Sequence, residues 1–456
     1  MTARAGDSDR TDRRVAWKAV EYGGTPPSKR WGHVSVAIDD RHLVVFAGYV
    51  RGSAVAAGHG TAYVAMLVAH NVCGGCWQLP PLCRFDTLYM NSVHVFDRVS
   101  QQWKRVRVRA GSLQPAARSN CSAAFVHDRV WVFGGGSVRA QAKLGDMWSL
   151  QITDRGSADV VLQWNACQFG PHAAIPTPRS YHASARVGRG SIVVRRPTSC
   201  AWCAALRCVG STLTASLLSV QLFGGHDGQK DLGDTYVLSP SAQVMGPHGK
   251  HVVGCTKLEA DGCVSPVARR FHTFVADEVG QCGVLFGGCT GKSYRTLNDV
   301  WVLRELGDWA SHGRSHEWYV PGVAGTMPAS RWGHSASMRR SCMVVFGGRR
   351  GEDLNDVHLL HIGALACLPA CPPACPCRHH SRQLWRAACQ PCPEHAVLTP
   401  PIIRVWLHAD ERHPRFGHPT HVSWSTPVLV PGVPRPCTRR RHTSAIVGAS
   451  HARVVL

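Results

Sequence analysis

No stretch of about 18 unbroken apolar residues occurs in this 456-residue chain, so the sequence offers no membrane-spanning helix. Met1 to Arg14 is polar and mixed in charge. It has no apolar run of the signal-peptide kind, which makes cytosol or nucleus the default compartment. There is no Gly-x-x-x-x-Gly-Lys-Ser/Thr phosphate loop and no His-Glu-x-x-His helix, so the commonest nucleotide and zinc-hydrolase signatures are excluded. Acidic residues are scarce. Asp and Glu number 29 against 51 Lys and Arg, a formal net charge of +22. Such an excess invites a nucleic-acid reading. Here it is mostly scattered Arg, with patches at Arg195-Arg196 and Arg439-Arg440-Arg441. Arg, Ala, Gly and Pro share GC-rich codons, so a composition bias accounts for the charge, and nucleic acid is not the expected partner.

What is present is a repeat. An Arg is followed three residues later by His, then by an apolar run ending in Phe-Gly-Gly, then by Asp before an apolar pair, then by a Trp. The Arg positions are Arg30, Arg118, Arg179, Arg269, Arg331 and Arg439; the His positions are His33, His182, His272, His334 and His442, with Cys121 in the second copy. Runs such as Val130-Trp131-Val132-Phe133 and Met343-Val344-Val345-Phe346 have the β-branched and aromatic content of buried strands. The Gly pairs at 134–135, 224–225, 287–288 and 347–348 supply positive φ or close backbone approach. A third strand opens at Ser92, Asp146, Asp234, Asp299 and Asp356, where the Asp reads as a turn acceptor for backbone N–H groups. A fourth is marked by Trp103, Trp164, Trp318 and Trp424; the third copy lacks the Trp, and Lys257-Leu258 takes its place. Four short antiparallel strands that hide their faces against the next unit make a propeller blade.

At this point the pattern resembles the kelch repeat family (the galactose oxidase/kelch-like superfamily), with its Gly-Gly doublet, spaced aromatics and period of about 50 residues. The Pro-x-x-Arg-x-x-His flavour of Pro27 to His33 and Pro328 to His334 is similar to plant, fungal and host-cell-factor-type kelch proteins. The resemblance implies an all-β, six-bladed propeller over residues 15–456, after a disordered tail at 1–14. Blades fall at about 30–103, 118–164, 179–258, 269–318 and 331–424, with a sixth from 439–456 plus 15–20. Trp17, within Val15 to Val20, precedes the first Arg as Trp318 precedes Arg331, so it reads as a fourth strand. The last blade is incomplete, because the run Arg453 to Leu456 stops short of a Phe-Gly-Gly and no third strand follows.

Three irregular segments, about 50–85, 195–221 and 362–422, interrupt the period and hold most of the Cys. The second reads as splitting Ile192-Val193-Val194 from Leu222-Phe223-Gly224-Gly225. Two explanations compete: translated non-coding sequence, or long loops with zinc spacing at Cys73/Cys76, Cys200/Cys203 and Cys389/Cys392. A break inside a strand favours the first.

A repeated Asp or His argues for structure, since a catalytic residue need appear only once. The expectation is therefore a non-enzymatic protein-interaction scaffold or adaptor without cofactor or metal. Its partner would be another protein, in particular an acidic peptide segment. In related propellers an Arg at the blade entrance often faces the channel mouth; by resemblance Arg30, Arg179, Arg269 and Arg331 would bind acids there, with Trp31, Tyr181, Phe271 and Trp332 as aromatic anchors, while the competing reading makes both sets framework, Arg bonding between blades and aromatics filling blade junctions. The alternatives are a metal-dependent kelch enzyme or a nucleic-acid-associated factor. For a galactose oxidase-like site the eight Tyr give no recognisable set, and for a specifier-like iron site Glu352, Asp356 and His361 miss the spacing by one.

Overall fold

The computed structural model describes residues 14–15, 20–51, 87–137, 142–157, 159–188, 192–194, 213–215, 218–246, 250–258, 264–277, 282–305, 316–339, 341–362, 421–429, 440–447 and 453–455. Among these residues every regular element is a β-strand, and no helix is long and apolar enough to cross a membrane. This is the all-β architecture expected of kelch repeats.

Five units each form a four-stranded antiparallel meander. The first runs Val34–Ala37, His42–Phe46, Val93–Asp97, Gln102–Val108. The second runs Ser122–Val126, Arg129–Ser137, Ala142–Thr153, Asp159–Phe169. The third is Ala183–Val187, Ser219–His226, Asp231–Met245, His251–Leu258. The fourth is Thr273–Asp277, Cys282–Thr290, Arg295–Glu305, His316–Tyr319. The fifth is Ser335–Arg339, Cys342–Arg350, Glu352–Ile362, His421–Ser425. A sixth unit contributes Ala445–Val447 paired with Arg453–Val455.

Sequence pattern sets burial along each meander. The second strands, read as His-Leu-Val-Val-Phe or Cys-Gly-Val-Leu-Phe-Gly-Gly-Cys, are buried on both sides because a neighbouring unit covers each face. The first unit's outer strand, Gln-Trp-Lys-Arg-Val-Arg-Val, is largely solvent-facing. Core clusters lie between successive units. Val284, Phe286, Val300 and Val302 of the fourth unit pack against Met343, Val345, Leu360 and Trp424 of the fifth. The outer-strand Trp is the recurrent key: Trp164 packs on Phe46 at 5.0 Å, Trp318 on Phe223 at 5.2 Å and Trp424 on Phe286 at 4.9 Å. Each pair joins one unit's Phe-Gly-Gly (Phe-Ala-Gly in the first) to the next unit's last strand. Burying an aromatic of this size stabilises by about 1.5–3 kcal/mol.

The outer strands also pair in parallel between units. Arg105–Val108 pairs with Asp159–Leu162, Cys167–Phe169 with His251–Val253, and Gly322–Gly325 with His421–Trp424. The chain leaving one unit thus lies on the last strand of the next. By the same rule Gly23–Gly24 lies on Gln102–Trp103, and Val428–Leu429 lies on Arg14–Val15. Arg14, assigned to the tail by the sequence, is in a strand. Trp17 lies outside the described residues.

The interruptions need different bounds. Tyr49–Arg51 pairs with Thr87–Tyr89, so Val50 and Arg51 extend a hairpin between second and third strands. Val187 pairs with Ser219, and Ser219–His226 runs unbroken through Phe223-Gly224-Gly225; Ile192–Val194 pairs instead with Leu213–Ala215. No strand is split from its glycines, because Val220 to Leu222 supply the run that Ile192 to Val194 were read as supplying. Ile362 pairs with Val422. All three interruptions leave and re-enter between hydrogen-bonded neighbours. The Cys pairs at 73/76, 200/203 and 389/392 lie outside the described residues.

Candidate interaction surface around the axis

The repeated Arg is a framework residue. Arg118, Arg179, Arg269 and Arg331 are fully buried. Each donates two hydrogen bonds of 2.6–2.8 Å to one carboxylate: Asp146, Asp234, Asp299 and Asp356 respectively. Each also donates to the carbonyl of the first Gly of its own unit's doublet at 3.0–3.1 Å, and through Nε to the carbonyl two residues back at 3.0 Å. The Asp accepts a further bond from the residue two places on, namely Trp148, Tyr236, Trp301 or His358. The Asp before the third strand is thus the partner of the Arg rather than a turn acceptor. Burial pushes these carboxyls up, but the Arg hydrogen bonds and charge outweigh it and hold them below the usual carboxylate range. With their charge met by a carboxylate of the same unit in this way, Arg179, Arg269 and Arg331 do not present an unpaired charge to a partner's acid.

Arg30 differs. Ser92 stands where the other units have Asp, and Arg30 donates to Ser92 Oγ at 2.9 Å, Ser28 Oγ at 3.1 Å and the carbonyl of Ala47 at 3.1 Å. Among the described residues it has no carboxylate partner. Burial lowers its pKa to about 10.

The residue two places after each Arg adopts positive φ: Gly32, Asn120, Tyr181, Phe271, Gly333 and Arg441, all between 52° and 64°. Their backbones form a cycle. Asn120 N–H donates to Gly32 C=O, Tyr181 to Asn120, Phe271 to Tyr181, Gly333 to Phe271, Arg441 to Gly333, and Gly32 back to Arg441, at 2.7–3.3 Å. Just inside this cycle, His182, His334 and His442 reach hydroxyls of the preceding unit at Ser122, Thr273 and Ser335, 2.8–3.0 Å away. Ala183 stands at the equivalent place before His272, so the hydroxyl that meets those rings is missing there. The histidines line a central cavity of about 220 Å³ to which all six units contribute. Burial and the neighbouring Arg charges lower four of them: His33 falls to about 4 and His182 to about 3, with His272 and His334 well below the ordinary value.

The mouth of that cavity is aromatic and basic. Tyr181 and Phe271 lie 4.2 Å apart, and Phe271 and Trp332 5.0 Å apart. The Arg441 guanidinium sits over all three rings, at 5.9, 4.7 and 5.3 Å, and donates to Tyr49 Oη at 2.9 Å. Arg440 lies over the Trp332 ring and Arg270 over that of Tyr294. Of the aromatic anchors proposed from sequence, Trp31 is 44% exposed, Tyr181 is half-buried, and Phe271 and Trp332 are 8% exposed, with rings that form the floor beneath Arg441. Trp31, Tyr49, Arg440 and Arg441 line a second, smaller hollow. Sequence reasoning missed Arg441. Its signal is that a cation occupies a position held elsewhere by Gly, Asn or an aromatic.

No group of three His, Cys, Asp or Glu among the described residues could share a metal ion. Asp356 is bound to Arg331 and His358, and His361 contacts Ser425 Oγ at 2.7 Å, so Glu352, Asp356 and His361 do not converge.

Comparison with known proteins agrees with the repeat. Residues 220–385 match the family described as the KLHDC2/KLHL20/DRC7 Kelch-repeats domain. The chain is 34% identical over 67 residues to Kelch domain-containing protein 3 of Homo sapiens, covering 14% of this chain and 18% of that protein. It is 38% identical over 115 residues to Adagio-like protein 1 of Oryza sativa subsp. japonica (25% and 16%). With Host cell factor of Drosophila melanogaster it shares 26% identity over 286 residues (59% and 15%). The chain thus spans less than a fifth of each of these relatives.

Proposed function

Since the chain is built from kelch repeats, we propose that it is a non-enzymatic protein-interaction scaffold of the cytosol or nucleus, a six-bladed propeller whose Gly-Gly face receives an acidic peptide segment. Support for six blades comes from the backbone cycle through Gly32, Asn120, Tyr181, Phe271, Gly333 and Arg441. The inner strands lie side by side in the same order, with Ala445–Val447 beside both Ser335–Arg339 and Val34–Ala37. Support for the partner comes from one observation above all. Arg441 holds a guanidinium at the mouth, without a carboxylate partner among the described residues, on a floor of Tyr181, Phe271 and Trp332. A carboxylate arriving there gains a charge-assisted bond, and the rings extend the contact.

The test is titration of an N-acetylated, C-amidated hexaglutamate, read by tryptophan fluorescence. Arg441→Gly removes the side chain and keeps a residue suited to positive φ, as at Gly32 and Gly333. It should weaken binding about tenfold or more. Equal affinity of the two proteins, or no binding by the parent, would overturn the proposal.

A further inference from the structure

In the first unit the Arg30 guanidinium meets neutral groups only, the carbonyls of Ser28 and Ala47, the hydroxyls of Ser28 and Ser92 and the ring of His94, so its charge has no carboxylate beside it among the described residues. In the fifth unit Arg331, Asp356 and His358 form a triad: the guanidinium grips both carboxylate oxygens, and the imidazole approaches one of them at 2.8 Å. Arg30, Ser92 and His94 hold the same three places in the first unit, with His94 Nε2 3.4 Å from Arg30 Nη2. Ser92 is shorter than Asp and carries no charge. In the other units the carboxylate is the outer member of the pair, with Asp side chains 21–42% exposed over fully buried arginines. Where it is absent, Arg30 is correspondingly only partly buried.

We infer that Arg30, with Ser28, Ser92 and His94, is an acid-binding subsite that takes one Asp or Glu side chain of a protein partner. This rests on the interaction proposed above and gives it a second anchor. The surroundings favour an extended peptide over a lone small anion. Trp31 is exposed next to Arg30, its N–H bonds to the Tyr49 carbonyl at 2.9 Å, and Tyr49 Oη accepts from Arg441. Trp31, the residue after Arg30, therefore shares one hollow with Tyr49, Arg440 and Arg441.

Ser92→Asp tests this by giving the chain its own acid. The variant rebuilds the fifth-unit triad, so it should melt at or above the parent temperature. It should also bind the capped hexaglutamate at least about fivefold more weakly, because the subsite is filled. Val99→Asp, which puts the same charge on the exposed turn at the far end of that strand, should bind as the parent does. A stable Ser92→Asp protein with parental affinity overturns the subsite and leaves the Arg441 proposal standing. Failure of the parent to bind the peptide at all overturns both. Competition by acetate at the concentration of the peptide's own carboxylates overturns the peptide assignment in favour of a small-carboxylate site.

Discussion

The carbonyl oxygen of Arg269 accepts the backbone N–H of Gly225 at 2.9 Å and lies 2.8 Å from the position a Cβ on Gly224 would take. The same arrangement joins Arg179 to Gly134 and Gly135, and Arg331 to Gly287 and Gly288. The Gly-Gly doublet is therefore a seam: one unit's strand bulges there so that the next unit's entrance can dock.

Gly224→Ala should be severely destabilising, since it combines left-handed φ with a backbone clash; a loss of about 3 kcal/mol or more is expected in urea unfolding. Gly111 supplies the control. It also has positive φ, but a Cβ there meets nothing within 4 Å, so Gly111→Ala should cost only about 1 kcal/mol.

Asp356→Ala leaves the fully buried Arg331 guanidinium without its counter-charge. A cost near 3 kcal/mol is expected, and a double-mutant cycle with Arg331→Met should show coupling of about 1–3 kcal/mol. Independent behaviour of the two changes would contradict the bidentate pair.

Acid should weaken the fold in two stages. The imidazoles of His33, His182, His272 and His334 have pKa values lowered in the folded state, so only the unfolded chain takes up their protons as pH falls below about 6.5. The stability they confer is complete above that value and is lost toward pH 4 and 3, at up to about 1.4 kcal/mol per pH unit for each. The lowered carboxyls of Asp146, Asp234 and Asp299 add a second loss below about pH 4. His272→Phe, which removes a buried ring that has no hydroxyl partner, should reduce the slope of stability against pH by one proton. An unchanged slope would show that His272 titrates normally.

The kelch marks are legible without coordinates because each is a local constraint. Positive φ demands Gly at 224 and 225, and burial on both faces demands runs like Val130 to Phe133. The destinations of the charged residues are not legible in the same way. Arg331 and Asp356 stand 25 positions apart, and only the folded meander brings them together. The absence of Asp at position 92 could have been noticed, but its meaning depends on knowing that Arg30 needs that partner. The second interruption misleads for a related reason: Ile192 to Val194 and Val220 to Leu222 are equally good strand sequences, and pairing with Ala183–Val187 chooses between them.

Arg51 faces Thr87, Val187 faces Ser219 and Ile362 faces Val422 across single ladder spacings. Two chain ends only about 5 Å apart can be rejoined by a tight turn of a few residues. A chain lacking any one of these intervening stretches would keep these ladder partners in the same register, so the seams and the backbone cycle do not depend on the length of what lies between them.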